Sequence, residues 1–236
     1  VDYALKSEIF SLDKDKENEQ KNIILQARKA GDSVGGCAII KASGNARVLR
    51  GLGEPLYYKL DSAIGSAFLG LNGVKAVEIG SGVESSKKKG SQNNDEIMLE
   101  YSTNPKAKSK EKSSKKTSAK SIFDTKAKSN KANIFDNVRF ASNHSGGVLG
   151  GIANGEDIII KVHFKPTPSI FLPQQTLKMD SKTLKPYTLE LKGRHDPCIA
   201  IRGSVVCESM LAFILADMLL LNTRATLSNL QKIYLD

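Results

Sequence analysis

The chain has 236 residues, enough for one or two domains with a hydrophobic core, and 40% of them are hydrophobic. Its net charge of +10 would suit an acidic partner, but ten lysines and only two acidic residues lie between positions 105 and 133. The rest of the chain carries only +2, which argues against a nucleic-acid-binding body. Three cysteines without a CxxC pair argue against a disulfide framework or a zinc site and fit a reducing compartment.

The first part of the chain alternates predicted helices and strands. Asp13 or Asp15 can cap a first helix that Gly31 stops, and a second helix carries Leu60 and Phe68 at helical spacing. The predicted helices cover residues 13–31 and 59–71, and the predicted strands cover 34–42, 74–79 and, more weakly, 47–52.

The Lys/Ser-rich segment 105–133 is predicted to be disordered, because it lacks the apolar residues that would offset the entropy of ordering it. It separates residues 1–104 from residues 134–236, which we interpret as two parts of one domain.

The second part of the chain begins with a glycine-rich turn region at 146–151. Strands are predicted over 157–164 and 187–191, with a weaker one over 170–172, and helices over 204–221 and 227–234. Short turns between neighbouring strands favour antiparallel pairing, so the predicted fold class is α+β. Glu208 and Asp217 interrupt the apolar helix 204–221, which we therefore interpret as a core helix rather than a membrane span.

Three short patterns could carry chemistry. Glycines at 146–151 allow close approach of backbone to a ligand, or simply a tight turn between strands. The run 165–169, Lys-Pro-Thr-Pro-Ser, offers a cation and two hydroxyls on a stiff backbone, or is a solvated loop. Arg194 and Asp196 stand before the long helix, where an anion grip and a proton carrier, or a structural ion pair that also caps the helix, are both reasonable. His163 and, less clearly, His144 are interpreted as structural.

The order of these patterns resembles the chorismate synthase family. The matching runs begin with 51–55 and 71–82 and continue with Gly-Ser-Gln-Asn-Asn-Asp-Glu at 90–96 and Ser-Asn-His-Ser-Gly-Gly at 142–147. They end with 165–169 and the run Gly-Arg-His-Asp-Pro-Cys at 193–198. The resemblance extends from about residue 5 to the C-terminus, broken only by the Lys/Ser-rich segment.

The resemblance implies a function as well as a fold. Members of the family convert 5-enolpyruvylshikimate 3-phosphate to chorismate by a 1,4-elimination of phosphate that requires reduced FMN. The resemblance also implies a fold in which helices are sandwiched between antiparallel sheets. It further implies a cytoplasmic homotetramer without nucleic-acid or membrane partners, and a link to NADP. Asp196 would assist proton removal from the substrate. The implied flavin contacts are Asn72, Gly73, Gly150, Lys165, Pro166, Thr167, Pro168, Ser169 and Arg194.

The chain departs from the family pattern in two respects. The family's early Gly-Glu-Ser-His-Gly motif, its substrate-gripping arginines, its second catalytic histidine region and its Gly-Gly-Arg-Ser-Ser segment are absent from these 236 residues. The Lys/Ser-rich segment is also longer than expected. We therefore expect no activity from this chain alone, and the alternative to a chorismate synthase is a catalytically inactive flavin-binding remnant.

Overall fold

A computed structural model describes residues 3–99, 138–180 and 182–234. These residues belong to two compact units, which are described separately. The larger unit holds the described residues up to 93 and from 143 onward; the smaller holds 94–99 and 138–142. The predicted disordered segment 105–133 lies outside the described residues.

Helices and short strands are mixed in the first part of the described chain, and the later strands follow one another before the last two helices. The helices are α1 (Glu17–Lys29), α2 (Ala46–Leu49), α3 (Leu60–Leu69), α4 (Gly90–Asn93), α5 (Ala200–Asn222) and α6 (Leu227–Tyr234). The strands are β1 (Gly36–Ala42), β2 (Val74–Ile79), β3 (Ile97–Leu99), β4 (Val138–Phe140), β5 (Val148–Leu149), β6 (Ile152–Ala153), β7 (Ile158–Phe164), β8 (Gln174–Asp180) and β9 (Thr183–Leu189). The α+β prediction is confirmed.

The core of the larger unit lies under a three-stranded sheet with the order β1-β7-β2, in which both pairs are antiparallel. Strand β7 is central, and its residues alternate between buried and half-buried positions. Ile158, Ile160 and Val162 are fully buried on the face that packs on the helices. A β-branched strand with period-two burial is the pattern expected for a sheet with one covered face.

Helices α3 and α5 cover that face. Leu60, Ile64 and Phe68 are fully buried along α3, which confirms the predicted helical stripe. The buried residues along the middle of α5 recur every three or four positions, at Cys207, Leu211, Ile214 and Met218. The opposite face of α5 is exposed, with Phe213 at 73% and Leu220 at 68%.

The expectation that the apolar helix is a core helix therefore holds for one of its faces only. By length and composition alone α5 is able to cross a membrane, a test that core helices of soluble proteins also pass. Only 22% of its apolar window is buried.

Strands β8 and β9 form a two-stranded hairpin with one apolar face. Leu177 pairs with Pro186 and Met179 with Leu184, and these side chains share that face. The polar face carries an ion pair of 2.8 Å between Lys185 and Asp180.

Three local predictions were wrong: a strand over 47–52, a strand over 170–172, and a helix cap at Asp13 or Asp15. Residues 46–49 form the short helix α2 instead of a strand, because the amides of Val48 and Leu49 bond to the carbonyl of Asn45. No strand covers 170–172; the amide of Phe171 instead donates to the carbonyl of Gly31, and β8 begins at 174.

The first helix begins at Glu17 without a side-chain cap. Asp13, predicted as a possible cap, instead accepts hydrogen bonds from the amides of Asp15 and Lys16 in the turn before the helix.

Candidate functional site

The loop 165–169 leaves the central strand β7 at the edge of the core and is held by its backbone. The amide of Lys165 donates to the carbonyl of Gly73 at 2.9 Å. The hydroxyl of Ser33 donates to the carbonyl of Thr167 at 2.7 Å, and the side-chain amide of Gln174 donates to the carbonyl of Pro168 at 2.8 Å. Lys165 itself is exposed to solvent.

The turn at Asn72 and Gly73 connects α3 to β2 beside this loop. Gly73 has a φ of +89°, a conformation that side chains other than glycine rarely adopt. A Cβ atom there would lie 2.7 Å from Cδ1 of Ile199, the residue that precedes α5. The absence of a side chain at Gly73 therefore lets this turn touch both the 165–169 loop and the start of α5.

The loop 193–199 brings the Arg-His-Asp run to the same place. The amide of Val34 donates to the carbonyl of Pro197 at 2.8 Å, which ties this loop to the residues that lead into β1. Arg194 is exposed. Asp196 forms a 3.3 Å ion pair with Arg202 in the first turn of α5, with side chains 34% and 69% exposed.

This ion pair corresponds in part to the structural interpretation of Asp196, since the carboxylate has a cationic partner but does not cap the helix. Solvent-exposed ion pairs typically contribute about 0–1 kcal/mol. Asp196 can therefore exchange Arg202 for another partner at little cost in free energy. The six-residue separation from Arg202 is not a spacing that sequence analysis associates with pairing, so this partner was not predicted.

His195 lies between Arg194 and Asp196 in the chain and carries a buried nitrogen, Nε2, without a hydrogen-bond partner among the described residues. Its ring meets the edge of Phe171 at a centroid distance of 5.1 Å. An unpaired buried polar atom typically costs about 1–3 kcal/mol, and such atoms are uncommon in folded proteins. The burial of this nitrogen could not be read from the sequence.

Gly150 is the predicted site residue that lies elsewhere. The amide of Leu60, at the start of α3, donates to the carbonyl of Gly151, whereas Asn72 and Gly73 follow the end of that helix. The ten residues of α3 span about 15 Å. Gly150 is exposed, with a φ of +62° and open space around its Cα. The fold thus brings together the turn 72–73, the loop 165–169 and the loop 193–199, and it separates Gly150 from them.

The two other histidines have protein partners, in agreement with the structural interpretation. Nε2 of His163 lies 2.7 Å from Oε1 of Glu78. Burial raises the pKa of Glu78, but hydrogen bonds from the Val83 amide and from His163 outweigh it and leave that pKa below its usual value. Nδ1 of His144 lies 3.0 Å from the Ser81 hydroxyl and 3.1 Å from the Lys88 ammonium.

The three loops meet at the N-terminal end of α5, a helix of 23 residues. The amides of a first helical turn and the helix dipole favour negative charge. Lys165 and Arg194 add two cations on the adjoining loops, and Thr167 and Ser169 add two hydroxyls. The fold and the site therefore define an α+β protein with a candidate site for an anionic ligand that carries phosphate or carboxylate groups.

Comparisons with known proteins identify the family. A family model described as chorismate synthase matches residues 2–220. A chorismate synthase of Helicobacter pylori (strain J99) is 49% identical over 235 residues, and one of Campylobacter hominis is 50% identical over 234 residues. A crystal structure of chorismate synthase superimposes with a TM-score of 0.64 at 26% identity, over 94% of this chain and 48% of that chain. The chain belongs to the chorismate synthase family.

The matches cover nearly all of this chain but only part of each relative. The alignments take in 98% of this chain and 53% of the Helicobacter pylori protein, and 99% and 52% for the Campylobacter hominis protein. The chain thus spans about half the length of the curated relatives that it matches.

Proposed function

We propose that this chain supplies one half of a chorismate synthase, the lyase that converts 5-enolpyruvylshikimate 3-phosphate to chorismate and phosphate. Family membership over residues 2–220 supports the reaction. The observation that carries the proposal is that a cation- and hydroxyl-bearing loop, a glycine turn and the Arg-His-Asp loop meet at the start of α5.

The residues at this end fit the phosphate-bearing flavin that the family uses. Gly73 lets the backbone approach closely, Lys165 and Arg194 suit phosphate or carboxylate oxygens, and the buried Nε2 of His195 lacks a hydrogen-bond partner among the described residues. Reduced FMN, when bound, would lend electron density that helps phosphate leave. The proposed flavin-binding residues on these loops are Asn72, Gly73, Lys165, Pro166, Thr167, Pro168, Ser169 and Arg194.

The charges of these residues also suit the substrate and its product. Loss of phosphate builds negative charge on the leaving oxygen, and cations fixed near that oxygen stabilise it without rearranging. Asp196, which forms an ion pair with the exposed Arg202, is the proposed group that assists removal of the substrate proton. A role for Gly150 in one common site with these residues would require a ligand or a neighbouring subunit that spans the length of α3.

The remaining properties of the family are also proposals for this chain. They comprise a homotetrameric assembly, a cytoplasmic location and a small-molecule substrate, without nucleic-acid or membrane partners. The link to NADP stays a prediction. The exposed face of α5 is apolar, which suits a helix covered by further polypeptide.

The proposal is tested in a chimera in which this chain replaces the matching half of the Helicobacter pylori relative. A charge-assisted hydrogen bond typically contributes about 1.5–3 kcal/mol. Arg194→Ala should therefore weaken binding of reduced FMN or substrate roughly tenfold or more, since about 1.4 kcal/mol corresponds to a factor of ten. Arg224→Ala, an exposed arginine after the end of α5, serves as the matched control.

Titration by flavin fluorescence and by substrate-dependent absorbance would measure both affinities. Unchanged affinities in Arg194→Ala would contradict the assignment of this residue. Tight flavin binding without any turnover would instead favour the inactive remnant.

A further inference from the structure

A short segment between α1 and β1 holds both of the loops that carry the site cations. Within this segment, the carbonyl of Gly31 accepts a 2.9 Å hydrogen bond from the amide of Phe171. The amide of Val34 donates to the carbonyl of Pro197 at 2.8 Å. Phe171 closely follows one of the two loops and Pro197 lies in the other, so both loops are tied to one place in the fold.

Phe171 is fixed against this segment by its side chain as well. Gly31 has a φ of +72°, and a Cβ atom on it would lie 3.1 Å from Cβ of Phe171. The absence of a side chain at Gly31 therefore lets Phe171 pack directly on the backbone that follows α1. The ring of Phe171 is half-exposed, so it remains accessible to the neighbouring loop.

His195 joins the two loops directly, because its ring packs on that of Phe171. The ring centroids lie 5.1 Å apart and the ring planes are inclined at 64°. Edge-to-face pairs of this kind are a favourable arrangement of aromatic rings. The buried Nε2 atom of His195 has no hydrogen-bond partner among the described residues. Within that part of the chain, the ring of His195 and not this nitrogen makes the connection.

The residues on either side of His195 face the solvent. Arg194 is exposed and the side chain of Asp196 is 34% exposed, whereas His195 buries its Nε2 atom. Such alternation is typical of an extended backbone, in which successive side chains point to opposite sides. The inward ring of His195 therefore determines the direction in which the side chains of Arg194 and Asp196 point.

This direction matters because the two cations of the site stand on different loops. Lys165 and Arg194 can hold one anionic ligand together only if the distance between their loops is fixed. Groups that are fixed before the ligand binds lose less freedom on binding. A misplacement of about 1 Å can lower a catalysed rate by about 100-fold.

We propose that His195 is a positioning residue for the reaction. By packing on Phe171, it holds the loop of Arg194 and Asp196 in register with the loop of Lys165. The proposal rests on the proposed function, which gives these three residues their roles. His195 acts through Arg194 and Asp196 and not on the ligand itself.

The first test measures amide hydrogen exchange in the full chain without ligand. The amide of Val34 reports on the loop 193–199, because its acceptor is a carbonyl of that loop. His195→Ala should speed exchange of this amide about tenfold, because it removes the contact that keeps the loop closed. His195→Phe keeps an aromatic ring and should stay within about threefold of the unmodified chain. The amide of Gly51, which donates to the carbonyl of Ala153, should be unaffected.

The second test measures ligand affinity in the chimera with the Helicobacter pylori relative. His195→Ala should weaken binding of reduced FMN or substrate about tenfold, and His195→Phe should restore it to within about threefold. In a chain that already carries Arg194→Ala, His195→Ala should add less than about twofold, because residues that act through one another are not additive. A residue that only stabilises the fold would give two independent losses.

Phe171→Leu approaches the same contact from the other loop and decides the matter if His195→Ala does not fold. It should speed exchange at Val34 by a similar factor, and both substitutions together should have no larger effect than either alone. Tyr57→Ala, at an exposed ring outside both loops, is the matched control and should leave this exchange unchanged. Circular dichroism of each purified variant establishes that it is folded.

Three results would overturn the proposal. They are unchanged exchange at Val34 in His195→Ala and Phe171→Leu, a folded His195→Phe that does not recover affinity, and full additivity with Arg194→Ala. An unmodified chimera that binds no flavin and forms no chorismate would contradict the proposed function. Faster exchange at Val34 in His195→Ala would then still show that His195 holds this loop.

Discussion

At the scale of single residues, the carboxylate of Glu17 is held in its ionised form by three neighbours. The hydroxyl of Tyr3 donates to it, the Lys21 ammonium lies at 3.0 Å, and the hydroxyl of Ser7 donates at 2.9 Å. These hydrogen bonds, that from Tyr3 first, lower the pKa of Glu17 to about 2. Its ordinary value in an unfolded chain is about 4.3.

A carboxylate whose pKa is lower in the folded than in the unfolded state stabilises the fold at pH values above its unfolded-state pKa. This contribution is lost as the pH falls toward the folded-state pKa. We therefore expect the stability contribution of Glu17 to be constant above about pH 5 and to decline between about pH 5 and pH 2. Thermal melts across this range should show a shallower acid decline for Glu17→Gln than for the unmodified chain. The exposed Glu54→Gln is the control; equal declines in all three would contradict the account.

Asp196 allows a second test at this scale. Asp196→Asn keeps the size of the side chain but removes its ability to take a proton, so turnover of the chimera should fall by about 100-fold while flavin affinity stays nearly unchanged. Asp15→Asn, at an exposed position before α1, should leave turnover unaltered. Normal turnover in Asp196→Asn would reduce this residue to the partner of Arg202.

Sequence reasoning reached the Arg194 and Asp196 loop because charged residues before an apolar helix are visible in the sequence. The pairing of Asp196 with Arg202 and the buried Nε2 of His195 depend on how the loop folds back on Phe171. Because contacts between distant segments leave no local pattern in the sequence, the types of the site residues could be predicted but their partners could not.

At the scale of elements, α5 packs on the sheet through a glycine. A Cβ atom on Gly203 would lie 2.5 Å from Cζ of Phe164, a buried ring at the end of β7. Gly65, inside α3, has nothing within 4 Å of the same position. Alanine substitution at these two helical glycines therefore distinguishes the cost of crowding from the gain in helix propensity.

Gly65→Ala should stabilise the fold by about 0.5–1 kcal/mol, since alanine is the better helix former. Gly203→Ala has the same gain but forces the Phe164 ring to move, and overpacking typically costs about 1–3 kcal/mol. We expect a net loss of stability at Gly203. Thermal denaturation of both variants decides this, and a rise in melting temperature for Gly203→Ala would show that α5 does not pack closely on β7.

Element predictions succeeded for most of the helices and for the strands of the three-stranded sheet. The strand over 74–79 was placed with its observed bounds. Leu60, Ile64 and Phe68 of the predicted stripe are buried in α3, whereas Leu71, also predicted for it, follows the end of the helix. Strand β8 was missed although Leu177 and Met179 alternate with polar residues, because the prediction followed the apolar run 170–172 instead. In that run Phe171 serves as an anchor on His195 and not as part of a strand.

At the scale of the whole molecule, the exposed apolar surface has a common explanation. Phe213 and Leu220 on α5 and the apolar face of the β8–β9 hairpin are all accessible. Isolated two-stranded hairpins are marginally stable, and exposed apolar patches mark sites of association. A chain that spans half the length of its relatives is expected to leave surfaces that further polypeptide would cover.

The sequence predicted the family and the α+β class, but not which side chains of α5 the fold leaves accessible. Val205 is one of many apolar residues in this helix, and only the fold shows that it is 48% exposed. Gly150 is a similar case, since its order in the sequence suggested a common site and its position at the start of α3 separates it from the other loops.

The central claim, that this chain is a functional half of a chorismate synthase, is tested most directly by turnover in the chimera with the Helicobacter pylori relative. Chorismate formation from 5-enolpyruvylshikimate 3-phosphate with FMN kept reduced is the quantity to measure, beside the chain alone and the intact relative. The account predicts turnover within about tenfold of the intact relative for the chimera and none for the chain alone. A folded, flavin-binding chimera without turnover, or full activity of the chain alone as a monomer, would contradict it.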